Sequence, residues 1–179
     1  MPNARPLLVL AAASLLAACS EAPTADNNMT AASGITVVPA LPAFTIDAKT
    51  AIARIVALGP PWSGAVASTP LQDPNTGGQA TILTGAAGSA QVFSRVEGTV
   101  WQVRLVTGTP GACAAAAPLA DALPKVVDML KPGTVIDRAM QTAVVTGLDG
   151  PTATKHELPG MTLTVVGGCT HWLTIAVPV

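Results

Sequence analysis

Cys113, Cys169, His156 and His171 are the side chains in the body of this chain best suited to hold a metal, attack an electrophile or pass a proton. As a metal centre they would have to converge from three stretches, and their spacing matches no compact ligand pattern. Nucleophilic catalysis finds no better footing. A serine nucleophile of the elbow type needs the sharp turn G-x-S-x-G, and neither Ser63 nor Ser89 has that setting. The runs S-x-x-K, H-E-x-x-H and G-x-G-x-x-G and the phosphate-cradling P-loop are missing too, so no cofactor or metal site is expected. His171, between Thr170 and Trp172 in an apolar stretch, reads as a hydrogen-bonded structural histidine rather than a general base. His156-Glu157 precedes Pro159-Gly160 and reads as part of a solvated hairpin. The carboxylates are scattered over expected caps and turns, with no pair placed for acid and base work. An enzyme is therefore not the expectation.

The amino-terminal stretch carries a clearer message. Arg5 supplies a positive start, Leu7 to Leu16 an apolar run too short to span a bilayer, and Ala17-Ala18 small residues before Cys19. Leu16-Ala17-Ala18-Cys19 resembles the lipobox of a bacterial lipoprotein signal. The resemblance implies that residues 1–18 are removed, that the Cys19 thiol receives a diacylglycerol, and that the new amino terminus is acylated, typically with palmitate. Several acyl chains make the anchoring durable. An ordinary secretory signal ending in A-A-C is the competing reading. Ser20 stands where Asp would mark inner-membrane retention in the enterobacterial pattern, so the resemblance implies the periplasmic face of the cell outer membrane.

Cleavage there leaves 161 of the 179 residues and removes Arg5, one of nine basic residues against ten acidic ones, so the mature charge is −2. Such a balance gives no electrostatic footprint for nucleic acid. Half the chain is apolar but only 3% is aromatic, with no Tyr, so the core must be built from Ala, Val, Leu and Ile. In an oxidising periplasm the remaining pair, Cys113 and Cys169, is most simply a disulfide. Closing so long a loop stabilises the fold by about 4 kcal/mol on the chain-entropy account.

Three segments follow from composition: the signal (1–18), a tether rich in Ala, Thr, Asn, Ser and Pro (19–43), and one domain (44–179). In the domain, Asp47 is placed to cap a helix whose apolar stripe is Ala48, Ala51, Ile52, Ile55 and Val56, stopped by Gly59 and Pro60-Pro61. Four prolines and the run Asp73 to Gly78 mark residues 60–79 as a long loop. Strands are expected at 80–84, 91–96 and 99–107, with Glu97-Gly98 turning the last two into a hairpin and Trp101, Val103 and Leu105 sharing the covered face. A second helix carries Leu123, Val126, Val127 and Leu130, with Asp121 as its cap, Pro124 in its first turn and Pro132-Gly133 as its stop. Residues 134–141 fit helix and strand alike, and strands are expected near 142–146, 161–166 and 170–177.

Two internal matches accompany this order. Gln79 to Gly85 aligns without a gap on Gln141 to Gly147, and Val96-Glu-Gly98-Thr99-Val-Trp101 resembles Val166-Gly-Gly168-Cys-Thr170-His-Trp172 with Cys169 inserted. The expected fold is thus α+β, an antiparallel sheet with two helices on one face, arranged as tandem αβββ halves at 44–108 and 109–179. In architecture alone that layout resembles tandem-repeat periplasmic inhibitors and small lipoproteins of outer-membrane assembly. The functional expectation is a non-enzymatic module that binds an envelope protein, as inhibitor, immunity factor or assembly accessory. Its candidate binding residues are Trp62, on the 60–79 loop, and Arg95, Gln102 and Arg104, on the sheet face away from the helices. Trp62 has a second reading, folded back over the helix end. A cell-wall-associated structural lipoprotein and an enzyme without a recognisable motif are the other two readings.

Overall fold

The computed structural model describes residues 41–73, 77–108 and 113–178. The lipobox, Cys19 and the tether before residue 41 lie outside the described residues, as do residues 74–76 and 109–112. The chain runs α1 (Ala48–Val56), β1 (Val66–Ala67), β2 (Leu71–Gln72), β3 (Gln79–Thr84), β4 (Gly88–Ser94), β5 (Val100–Thr107), α2 (Ala117–Leu130), α3 (Arg138–Asp149), β6 (Thr154–Leu158), β7 (Met161–Val166) and β8 (His171–Ala176). The strands form one antiparallel sheet in the order β1-β3-β4-β5-β8-β7-β6, with β2 also on β3. The α+β expectation holds, with three helices among the described residues in place of two. Among the described residues no helix is long and apolar enough to cross a membrane.

Asp47 caps α1 as its position predicts, its carboxylate accepting the Thr50 N–H at 2.9 Å, and the stripe buries Ala51 and Ile55. The second helix starts earlier than expected. Ala116, which offers no side-chain bond, is its cap, and Asp121 lies inside it. Pro118 explains the earlier start, because its fixed φ suits the first turn and its missing N–H costs nothing there. Pro124 consequently sits in the helix interior, where it deprives the Ala120 carbonyl of its α-helical donor. Burying Leu119, Leu123, Val126, Val127 and Leu130 outweighs that defect, at about 2 kcal/mol for each such side chain.

The strand expected at 142–146 is the middle of α3. Asp137 accepts the Met140 N–H at 2.7 Å, and the hydroxyls of Thr142 and Thr146 donate to the carbonyls of Arg138 and Thr142, four residues back. Val144, Gly147 and Leu148 form the buried stripe. The match of Gln79–Gly85 to Gln141–Gly147 therefore pairs a strand with a helix. The hairpin match fares differently: β4–β5 and β7–β8 occupy corresponding places in two three-stranded meanders, β3-β4-β5 and β6-β7-β8, which meet at β5 and β8. Val103 pairs with Ile175 and Leu105 with Leu173, so equating Val103 with Leu173 and Leu105 with Ile175 exchanges the two pairs about a local two-fold at Arg104–Thr174. A register shift at Phe93/Ser94, opposite Trp101, absorbs one residue of β5, just as Cys169 lengthens the β7–β8 turn.

Burial alternates along the strands and identifies the face the helices cover. Leu83, Ala90, Val92, Val100, Val103, Leu105, Leu163, Val165, Leu173 and Ile175 point to it and are almost wholly buried. α1 packs on β4, α2 on β5 and β8, and α3 on β7. Residues 60–79 are not a free loop. β1 and β2 make an edge strand on β3, broken at Ser68-Thr69-Pro70 because proline has no N–H for the ladder. The disulfide between Cys113 and Cys169 is present, with S–S 1.99 Å.

Candidate functional site: the open face of the sheet

Four positions were proposed from sequence as binding residues, and the structure separates them. Trp62 is buried, with 1% of its surface exposed, and its indole N–H donates to the Ser89 carbonyl at 3.0 Å. Folding it inward removes a large apolar surface from water while satisfying its polar tip, so it is core and not an exposed anchor. Arg95 is also buried, its Nε and Nη2 donating to the Pro42 carbonyl at 3.2 and 2.9 Å and its Cζ lying 5.0 Å from the centroid of the Trp101 ring. It pins the chain entering the domain and offers little to a partner. Gln102 and Arg104 lie on the uncovered face, on strand positions opposite the buried Val103 and Leu105.

Trp101 departs from the expected face. Val100 and Val103 both point inward, so the irregularity at Ser94 turns Trp101 and Gln102 outward in succession. There Trp101 packs on Phe93 with ring centroids 5.7 Å apart and an interplanar angle of 55°. The strand period alone does not show such a bulge.

Arg104 stands at the centre of the open face, on the local two-fold. Its Nε donates to the Thr174 hydroxyl at 3.3 Å, its Nη1 to the Gln91 side-chain oxygen at 3.4 Å, and its Cζ lies 5.1 Å from the Trp172 ring centroid. Each neighbour comes from a different strand or a register partner: Gln91 from β4 and Thr174 and Trp172 from β8. Trp172 is 40% exposed. Its signal was present in the register: Leu173 and Ile175 claim the inward positions, which leaves Trp172 outward. Among the described residues no carboxylate pairs with Arg104. Toward one edge the face carries Val66 and Leu71, both exposed, and toward the other Lys155 and Glu157, bridged at 2.8 Å. The Glu157 carboxyl is held below its ordinary value by Lys155 first and by the Thr162 hydroxyl second. A neutral threonine row, Thr162, Thr164 and Thr174, fills the span between.

The histidines lie on the opposite, helix-covered side. His156 lies on the covered face of β6 opposite Leu163, and its Nε2 is buried with no hydrogen-bond partner. His171 is buried at the start of β8 beside Thr107 of β5, and its Nδ1 also lacks a partner, contrary to the hydrogen bond expected. His171 shares a cleft with Asp121 and Asp149, but no hydrogen bond joins it to either, and Cys169 in the same cleft is held in the disulfide. Among the described residues no three His, Cys, Asp or Glu side chains come together as metal ligands. Comparison with protein-family models, with curated proteins and with solved structures finds no match to this chain.

Proposed function

We propose that this chain is a lipid-anchored protein of the bacterial envelope, held by Cys19 at the periplasmic face of the outer membrane, whose open sheet face binds another envelope protein without catalysing a reaction. The observation that carries the reading is the Arg104–Trp172 cluster: a guanidinium with no carboxylate partner beside a half-exposed indole, at the centre of a face no helix covers. Trp and Arg concentrate interface energy because one supplies a rigid apolar surface and the other a planar set of donors. The complementary partner presents a carboxylate to Arg104 next to an apolar side chain for Trp172. Gln102 and the threonine row form the polar surround, while Trp62 and Arg95 act only by holding the scaffold.

Site-specific photocrosslinking in intact cells tests this. A crosslinker at position 172 is expected to yield one discrete protein adduct that disappears with Arg104→Ala, while the same group at Arg54, exposed on α1, yields none. Equal adducts from both positions, or none from position 172, would remove the open face as a binding surface. The anchor has its own test. Mass analysis of the membrane-extracted protein should show an amino-terminal Cys19 carrying acyl chains, and Cys19→Ala should release the chain from the membrane fraction.

A further inference from the structure

A cleft of about 890 Å³ opens at one end of the helical layer, between the start of α2, the end of α3 and the β7–β8 turn. Gly167 makes this junction possible, because a Cβ there would overlap the carbonyl oxygens of Leu148 and Gly150 at the end of α3. The cleft's charged side chains are of one kind. Asp121 and Asp149 contribute carboxylates, and the Ala120 carbonyl has lost its helical donor to Pro124. His171, 5% exposed, contributes an imidazole whose buried Nδ1 has no hydrogen-bond partner. Among the described residues no Lys or Arg lines the cleft. The carboxyl end of α3 adds negative potential, and Pro118 removes an N–H from the first turn of α2 that would otherwise favour an anion. The remaining wall is the alanine run 114–117 with Val145 and Leu148, a surface for hydrocarbon.

We propose that this cleft binds a primary ammonium group carried on an aliphatic stem. An ammonium brings three N–H donors and no acceptor, which complements a set made of carboxylates, a carbonyl and an unpartnered imidazole nitrogen. The stem lies on the alanine wall, as long cationic side chains do when they bury their methylenes and keep the charge at polar groups. The site is on the helical side, so it stands or falls independently of the open sheet face. One chemistry has two sources here, a lysine side chain of a partner and a free aliphatic amine; binding of a phosphatidylethanolamine headgroup instead is an outcome of the test.

The test is an amide and imidazole NMR titration of the full chain with n-butylammonium, with the amide of acetyl-lysine, and with vesicles of phosphatidylethanolamine against phosphatidylcholine. Shifts confined to residues 114–121, 145–149 and 168–171 are expected with n-butylammonium and with the amide of acetyl-lysine, and shifts with phosphatidylethanolamine vesicles alone would overturn the lysine source. Tetramethylammonium and the Nε-acetylated lysine amide, which lack an ammonium N–H, should leave those signals in place. Asp121→Asn and Asp149→Asn should each weaken binding about fivefold. His171→Phe should weaken it about tenfold, whereas His171→Gln, which keeps an acceptor, should lose less. The proposal is overturned if no ammonium probe moves these signals, if tetramethylammonium moves them equally, or if the Asp and His171→Phe variants all bind as the parent does.

Discussion

The two faces of the sheet are made by the same strands and follow opposite rules. On the covered face Val103, Leu105, Leu173 and Ile175 meet α2 across the local two-fold, and each is essentially without solvent contact. On the open face the intervening positions hold Arg104, Thr174 and Trp172, tied by hydrogen bonds of 3.3 and 3.4 Å and a guanidinium over an indole. The covered face is held by excluded water and close packing, which any loss of volume disturbs. The open face is held by long, part-buried polar contacts that contribute little to folding and leave the groups within reach of a partner. One face therefore sets stability, and the other is the face proposed for recognition.

The comparison breaks most severely if the disulfide is removed. Cys113 and Cys169 are 56 residues apart in sequence, and reducing their bond should destabilise the domain by about 4 kcal/mol, read as a lower denaturant midpoint under reducing conditions. A change of less than 1 kcal/mol would show that the covered face holds the fold without the crosslink. Leu105→Ala comes next. It should cost about 3 kcal/mol in equilibrium unfolding, whereas Arg104→Ala, the adjacent residue on the other face, should cost less than about 1 kcal/mol. Equal losses would contradict the division between the faces.

Trp172→Ala sharpens the same contrast. Its unfolding midpoint should stay close to that of the parent while the photocrosslinked adduct is lost from an open-face position such as 102. Trp62→Ala should do the reverse, unfolding readily through loss of a buried ring and of its bond to Ser89. The smallest effect concerns two exposed carboxyls. Asp47 is held below its ordinary value by the Thr50 hydroxyl and then the Thr50 amide, and Glu157 by Lys155 and Thr162. A lowered folded value means that the stabilisation is present at pH above the ordinary carboxylate range and is lost as pH falls through the folded value. Asp47→Ala and Glu157→Ala should each flatten the acid limb of a stability–pH curve slightly. An unchanged limb in both would show that neither contact survives in solution.

Much of this architecture was legible in local sequence. The Asp47 cap, the stripe of α1, the hairpin at Glu97-Gly98 and the strands at 161–166 and 170–177 follow from spacing and turn chemistry that act over a few residues. The cysteine pair was legible because the compartment implied by the lipobox resemblance leaves few other uses for two thiols. Half of the candidate site was legible as well: Gln102 and Arg104 fall outward from the strand period alone.

What tertiary structure alone decided involves partners distant in sequence. Ala143-Val144-Val145 reads as strand from its β-branched residues and became helix because α2 and β7 offered a groove for Val144 and Leu148. Trp62 turned inward because the Ser89 carbonyl, 27 residues away, accepts its N–H. Trp101 turned outward because the β4–β5 pairing slips by one residue, and Trp172 because Leu173 meets Leu105 across the centre of the sheet. Periodicity says which residues share a face, but the face that loses water is chosen by whatever packs against it. For the three tryptophans that choice was made by the β4, β5 and β8 contacts and not by their immediate neighbours.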